Sequence, residues 1–277
     1  MKDLMEENPA IKRALELKKA FEEKNDRVNF SALVIGDRKT GKTSLLKTAR
    51  KPVLLDLFDP GGWLPLKKEI DAGEIIVRDF SDEISDDPKQ FRRWEKQWLD
   101  DLNSGFFDLF GTYCIDSLTT FLAALGNAIR KEAPIDSKDG KKRRKGSLSI
   151  SDYQPLYATA EDVIKTTSST GVDFIMTAHV ETDKDELTGE ILTDLAAFKG
   201  LKSRLPILFS ETWVMQKKQT AKGIDYLILT NDKGRTKAGS RLSSLKEPFN
   251  LEEPADIKHL LKKAGLPYDD KPILWNN

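Results

Sequence analysis

The run Gly36-Asp37-Arg38-Lys39-Thr40-Gly41-Lys42-Thr43 sets two glycines ahead of an adjacent lysine and threonine. That combination suits one kind of ligand, a polyphosphate. A loop whose successive N–H groups all face an anion must curl tightly, and side chains at the points of closest approach would block it, so Gly36 and Gly41 fall where glycine is needed. Lys42 then brings an ammonium to the β- and γ-phosphates and Thr43 offers a hydroxyl to Mg2+. A helix starting near Gly41 would turn its positive end towards the same charges. The binding segment expected on these grounds is Gly36, Asp37, Arg38, Lys39, Thr40, Gly41, Lys42, Thr43 and Ser44, and the expected ligands are ATP and Mg2+.

Phosphate chemistry also needs acids. Asp116 ends the apolar run Leu109 to Ile115, where a carboxylate would hold the magnesium through water, beside Thr43. Its other available role is to cap the following helix together with Ser117. Hydrolysis requires a group that positions or deprotonates the attacking water. Asp56 and Asp59 both qualify, since they leave a strand expected next to the phosphate loop, and Asp59 is preferred over Asp56. His179 closes another apolar run, and from a strand tip it would sense the γ-phosphate by hydrogen bonding and shift the loop that follows. A structural histidine is the alternative. The expected catalytic set is therefore Lys42, Asp59, Asp116 and His179, with Thr43 and Asp116 on the metal; His259, among lysines, receives no role.

These residues act together only if a scaffold delivers them to one place. Buried strands are expected at Val28 to Ile35, Pro52 to Asp56, Leu109 to Ile115 and Val172 to Ala178, with a shorter one, Glu74 to Arg78, at an edge. Between them, Phe91, Trp94, Trp98, Leu99 and Leu102 recur at helical spacing over 88–103, which makes the tryptophans core residues. Leu118, Phe121, Leu122, Leu125 and Ile129 do the same after Asp116, and a third helix starts at a Ser151–Gln154 capping box. Alternation of this kind implies an α/β fold with a mainly parallel sheet covered on both faces and sites at the carboxyl ends of its strands. Residues 212–219 and 223–230 pair as an antiparallel hairpin, and Thr188-Gly189 marks a second hairpin turn. A packing helix at 9–24 presents Ile11, Ala14, Leu15 and Phe21, and a last one at 254–264 stops at Gly265. The expected division is a helical extension over 1–27, a core over 28–248, and a C-terminal helix and tail over 249–277.

Composition narrows the rest. Lysine plus arginine equals aspartate plus glutamate at 45 each, so there is no global positive field to attract nucleic acid, and any such contact must be local. Cys114 is the single cysteine of the 277 residues, which excludes an internal disulfide and suits a reducing compartment. It reads as a small buried side chain. The charged N-terminus lacks a signal-peptide pattern and no run approaches a membrane span, so a soluble, cytoplasmic protein with no membrane partner is expected.

The order of these motifs resembles the RecA-like P-loop ATPase core, and most closely the phage-encoded nucleotide-binding proteins of that group implicated in single-strand annealing and recombination. The resemblance covers about residues 28–245 and is carried by GDRKTGKT from Gly36, YCIDSLT from Tyr113 and IMTAHVETDKDELTGEI from Ile175. It implies an ATPase stimulated by single-stranded DNA and assembled as a homo-oligomeric ring or filament. A single-strand-binding protein or recombination partner is a further implied contact, and the host cytoplasm the implied location if the origin is a phage. By resemblance, residues 133–150 and 180–199 line the DNA channel. The first carries Lys141, Lys142, Arg143, Arg144 and Lys145 as DNA-contact candidates, able to bind phosphates without regard to sequence. The second is acidic, unlike a DNA-contacting surface. Such proteins also complete the site with cations from a neighbouring subunit, which points to Lys233, Arg235, Lys237 and Arg241. They usually carry a glutamate at the end of the strand after the phosphate-loop helix, where this chain offers only aspartates, and Asp59-Pro60-Gly61-Gly62 looks like a shifted substitute. The alternatives are a helicase loader or replication motor subunit, and a nucleotide-gated interaction protein without turnover.

Overall fold

The computed structural model describes residues 8–24, 30–132, 140, 148–184, 191–221 and 223–275. Ten strands form one sheet among them: β1 Ser31–Gly36, β2 Val53–Leu57, β3 Ile75–Asp79, β4 Thr112–Asp116, β5 Asp173–Lys184, β6 Ile191–Leu195, β7 Glu211–Thr220, β8 Gly223–Leu229, β9 Gly239–Ser240 and β10 Glu252–Pro254. The main order is β10-β8-β7-β1-β5-β4-β2-β3. Pairing is parallel from β7 across to β3 and antiparallel where β8 and β10 join. This is the expected α/β class, including β3 at the edge and the β7–β8 hairpin. β1, β2 and β4 are buried at every position, as strands covered on both faces must be, which is why their sequences run apolar without alternation.

Two apolar layers enclose the sheet. On one face Leu33, Ile35, Leu54, Tyr113 and Phe174 meet helices α3 (Gln90–Ser104), α4 (Leu118–Glu132) and α5 (Ile150–Ser168), through Trp94, Trp98, Phe121, Leu125 and Leu156. Trp94 is fully buried and its ring contacts those of Phe58, Phe91, Trp98 and Phe121. Such pairs add about 0.5–1.5 kcal/mol each beyond area burial, so the tryptophans serve the core as expected. On the other face Ala32, Val34, Leu55, Cys114 and Ile175 meet Leu45, Leu46 and the terminal helix α7 (Ile257–Ala264). Cys114 is buried there, and burial pushes its thiol pKa well up. Two shorter helices, α2 (Lys67–Asp71) and α6 (Lys199–Lys202), complete the set with α1 (Pro9–Lys24).

Several expectations need correction. α1 forms, but it does not pack as expected: Leu15 is 51% and Phe21 69% exposed. Of its apolar residues only Ile11 is half-buried. The helix expected near Gly41 is a short 3-10 turn, Thr43–Thr48, ended by Ala49 in extended conformation. α5 is capped by Ser149, not Ser151: the Asp152 carboxylate accepts from the Ser149 N–H at 2.8 Å, and a charged acid serves that role better than Gln154. β5 does not stop at His179 but runs on to Lys184 and pairs with β6; the turn at Thr188-Gly189 lies outside the described residues. The last helix starts at Ile257, where Asp256 accepts from the His259 N–H at 3.0 Å, because 252–254 pairs with β8 instead. Gly265 ends it at φ 75°. Among the described residues no helix is long and apolar enough to cross a membrane.

Candidate functional site

β1 leads into the loop expected to bind phosphate. Its last residue, Gly36, sits in register with His179 of β5 on one side and Met215 of β7 on the other. A Cβ on Gly36 would come within 2.6 Å of Thr40 Oγ1 and 3.2 Å of the Met215 carbonyl, and Gly41 lies at φ 91° with Tyr226 2.9 Å from where its Cβ would be. Both positions admit only glycine without rearrangement. Lys42 is buried, and its ammonium donates to the carbonyls of Gly36 at 2.8 Å and Asp37 at 2.9 Å. Burial pulls the Lys42 pKa down, against the opposing pull of Asp116, Asp59 and Asp37. The loop itself is braced by Thr40 Oγ1 donating to the Asp37 carbonyl at 2.8 Å.

β4 and β2 deliver the acids. Asp116 ends β4 in register with Leu57, and its carboxylate accepts from Thr43 Oγ1 at 2.6 Å and from the Thr177 hydroxyl of β5. Burial raises the Asp116 pKa; the hydroxyls of Thr177 and Thr43 and the nearby Lys42 oppose that, and Asp59 reinforces it. The Asp116 carbonyl in turn accepts from the N–H groups of Phe58 at 2.6 Å and Asp59 at 3.1 Å, tying the loop after β2 to the end of β4.

Asp59 and His179 meet directly. His179 Nε2 lies 2.8 Å from Asp59 Oδ2, while Asp59 Oδ1 accepts from Thr120 Oγ1 at 2.6 Å and Ser117 Oγ at 2.9 Å. Burial opposes the charge on Asp59, but the hydrogen bonds from His179, Thr120 and Ser117 outweigh it and hold the carboxyl below the usual carboxylate range. His179 is fixed at its backbone as well, its N–H donating to Thr119 Oγ1 at 3.1 Å. Asp56 lies elsewhere. Fully buried, it accepts from Arg78, Trp94 and Tyr113, and it does not line the phosphate cavity.

The result is one cavity of about 300 Å³ lined by Lys39, Gly41, Lys42, Thr43, Ser44, Asp59, Pro65, Asp116, His179 and Tyr226. A buried ammonium held, among the described residues, by main-chain carbonyls fits a polyphosphate, and the hard oxygens of Thr43 and Asp116, 2.6 Å apart, fit Mg2+. The other sequence candidates fall outside it. Asp37 and Arg38 are exposed at the loop's outer turn. Lys233 pairs with Glu252, Lys237 with Asp232 at 2.8 Å, and Arg241 donates to the Ile207 carbonyl at 3.1 Å. Lys233, Arg235 and Lys237 are exposed on the segment between β8 and β9, where Ala238 packs against the apolar layer opposite that of Leu45 and Leu46, and Arg241 is exposed just after β9. Lys141, Lys142, Arg143, Arg144 and Lys145 lie outside the described residues.

Sequence reasoning missed Thr177, Thr120, Thr119 and Tyr226. A hydroxyl two residues before His179 and two just after Asp116 were the available signals for the threonines. Nothing in the sequence places Tyr226, on a hairpin far along the chain, at the phosphate loop.

A family model for an AAA domain matches residues 29–242. The chain belongs to that AAA domain family. Its core is accordingly a P-loop ATPase domain. No curated protein matches the chain in sequence. Among solved structures, the KaiC-like protein PH0186 of the hyperthermophilic archaeon Pyrococcus horikoshii OT3 aligns over 80% of this chain and 88% of its own at 13% identity, with a TM-score of 0.38. The flagellar accessory protein FlaH of Methanocaldococcus jannaschii aligns over 85% and 92% at 11% identity, with a TM-score of 0.43.

Proposed function

We propose that the protein binds Mg-ATP in this cleft, hydrolyses its terminal anhydride and couples turnover to single-stranded DNA held by an oligomer of the chain. One observation carries the enzymatic part: Lys42, Thr43, Asp116, Asp59 and His179, contributed by segments around β1, β4, β2 and β5, line a single cavity. Lys42 turns its ammonium from the loop carbonyls to the phosphates, and the glycine-bounded amides hold their oxygens. Thr43 and Asp116 hold the magnesium, which when bound neutralises charge developing on the phosphate oxygens. Asp59 stays ionised, with Oδ1 pinned by Ser117 and Thr120, so Oδ2 orients the water that attacks the γ-phosphorus as the bond to the bridging oxygen breaks. ADP and phosphate leave. His179, bonded to that same Oδ2, reports the state of the terminal phosphate along β5 into the β5–β6 hairpin.

The DNA part is supported by the basic run Lys141 to Lys145. The oligomer is supported by Lys233, Arg235 and Lys237, which are exposed and do not line their own chain's phosphate cavity, as cations that serve a neighbour's site would be. A nucleotide-gated binding role without turnover is favoured by one fact, that both Asp59 oxygens are already engaged. The test is ATP turnover with and without single-stranded DNA, in the wild type and in Lys42→Ala. DNA-stimulated turnover lost in the variant is expected. Turnover indifferent to DNA contradicts the DNA coupling and favours a motor or loader subunit. Binding without turnover favours the gated role.

A further inference from the structure

The strand order divides the cleft into two ends. Asp116, His179 and Asp59 come from β4, from β5 and from the loop after β2, all on one side of β1, whereas Tyr226 comes from β8, two strands away on the other side. All four line the same cavity, with Lys39, Gly41 and Ser44 around the phosphate loop. A nucleotide whose terminal phosphate lies at Asp59 and His179 therefore directs its nucleoside towards Tyr226.

Tyr226 is suited to receive it. One ring edge packs on the phosphate loop, with Cδ1 and Cε1 lying 2.9 Å and 3.3 Å from where a Gly41 Cβ would be. The residue nevertheless keeps 44% of its surface exposed. Ile224, two residues earlier on the same face of β8, is 56% exposed and extends the apolar ledge outward. An aromatic face left open beside a polyphosphate site is a stacking platform, because every nucleobase presents a π-face of matching size.

Resting on the nucleotide reading above, we propose that Tyr226 is the platform on which the base of the bound nucleotide stacks. The rival role, a prop that only keeps Gly41 in place, makes a different prediction, because a prop would matter equally to a ligand with no base. Calorimetric titration with Mg-ATP and with magnesium tripolyphosphate, on the wild type, Tyr226→Ala and Tyr226→Phe, separates the two. Base stacking by an aromatic side chain corresponds to a loss of about 5- to 150-fold on truncation to alanine. The expected result is a loss in that range for ATP in Tyr226→Ala, tripolyphosphate affinity unchanged within about two-fold, and ATP affinity retained in Tyr226→Phe. Unchanged ATP affinity in Tyr226→Ala overturns the proposal, and so does an equal fall for both ligands. If the wild type binds tripolyphosphate as tightly as ATP, the platform falls but the phosphate site stands. If it binds neither, the nucleotide reading fails and the platform with it.

Discussion

Exchanging Arg78 for methionine asks which of two neighbouring aspartates is built for stability and which for chemistry. Asp56 has no exposed surface; its Oδ1 accepts from Arg78 Nε at 2.6 Å, and its Oδ2 accepts from Arg78 Nη2 at 2.8 Å, Tyr113 Oη at 2.6 Å and Trp94 Nε1 at 2.8 Å. Arg78 also reaches Asp101 on α3, and together these acids raise its pKa further, although burial pulls the other way. Arg78→Met keeps the apolar stem but leaves a buried carboxylate without its counter-charge, a change that costs about 3–5 kcal/mol. The Arg78 side chain is 18% exposed, which places the expectation near about 3 kcal/mol, a large part of a total stability of about 5–15 kcal/mol. Equilibrium urea unfolding followed by tryptophan fluorescence reads the loss, and the double variant Asp56→Asn/Arg78→Met should recover about half of it or more. Per folded molecule, Asp56→Asn should keep ATP turnover within about three-fold of wild type, while Asp59→Asn should lose about 100-fold or more. A cost below about 1 kcal/mol for Arg78→Met, or equal losses of turnover in the two aspartate variants, would refute this division of roles.

The difference between Asp56 and Asp59 shows where sequence reading stops. Asp56 lies inside β2 and Asp59 just beyond its end, and local pattern offered both, preferring Asp59 without a decisive reason. What separates them is distant in the chain: Arg78, Trp94 and Tyr113 converge on Asp56, while Ser117, Thr120 and His179 converge on Asp59. Elements whose residues are buried on both faces, such as β1 and β4, were legible because burial leaves a continuous apolar run. Gly36 and Gly41 were legible because only a close approach explains them. The helix after Gly41 was misread, since propensity favours it but the chain makes only a short 3-10 turn there before Ala49 goes extended. α1 was misjudged for the opposite reason: periodicity reports an apolar stripe, and the stripe does not say what covers it. Tyr226 was invisible because a hairpin register, not a motif, carries it to the phosphate loop.

Gly41→Ala adds a side chain at φ 91° and 2.9 Å from Tyr226, so ATP affinity should fall about ten-fold or more while the unfolding transition stays cooperative; an unchanged titration would contradict the cradle. Asp173 is buried, and burial raises its pKa to about 6 despite Arg50 at 3.1 Å. The fold therefore favours its neutral form, a contribution complete below about pH 4 and lost as pH rises through about 6, amounting to about 3 kcal/mol. Asp173→Asn removes this titration, so its stability relative to wild type should improve by about 2–3 kcal/mol between pH 4 and pH 7.5 in urea unfolding, and a constant difference would contradict the assignment.

The most direct test of the nucleotide site is calorimetric titration of ATP, with and without magnesium, into the wild type, Lys42→Ala and Asp116→Asn. The account predicts binding by the wild type that tightens with magnesium, none measurable in Lys42→Ala, and binding in Asp116→Asn that no longer responds to the metal. Equal affinity in the wild type and Lys42→Ala, or no binding by either, would contradict it.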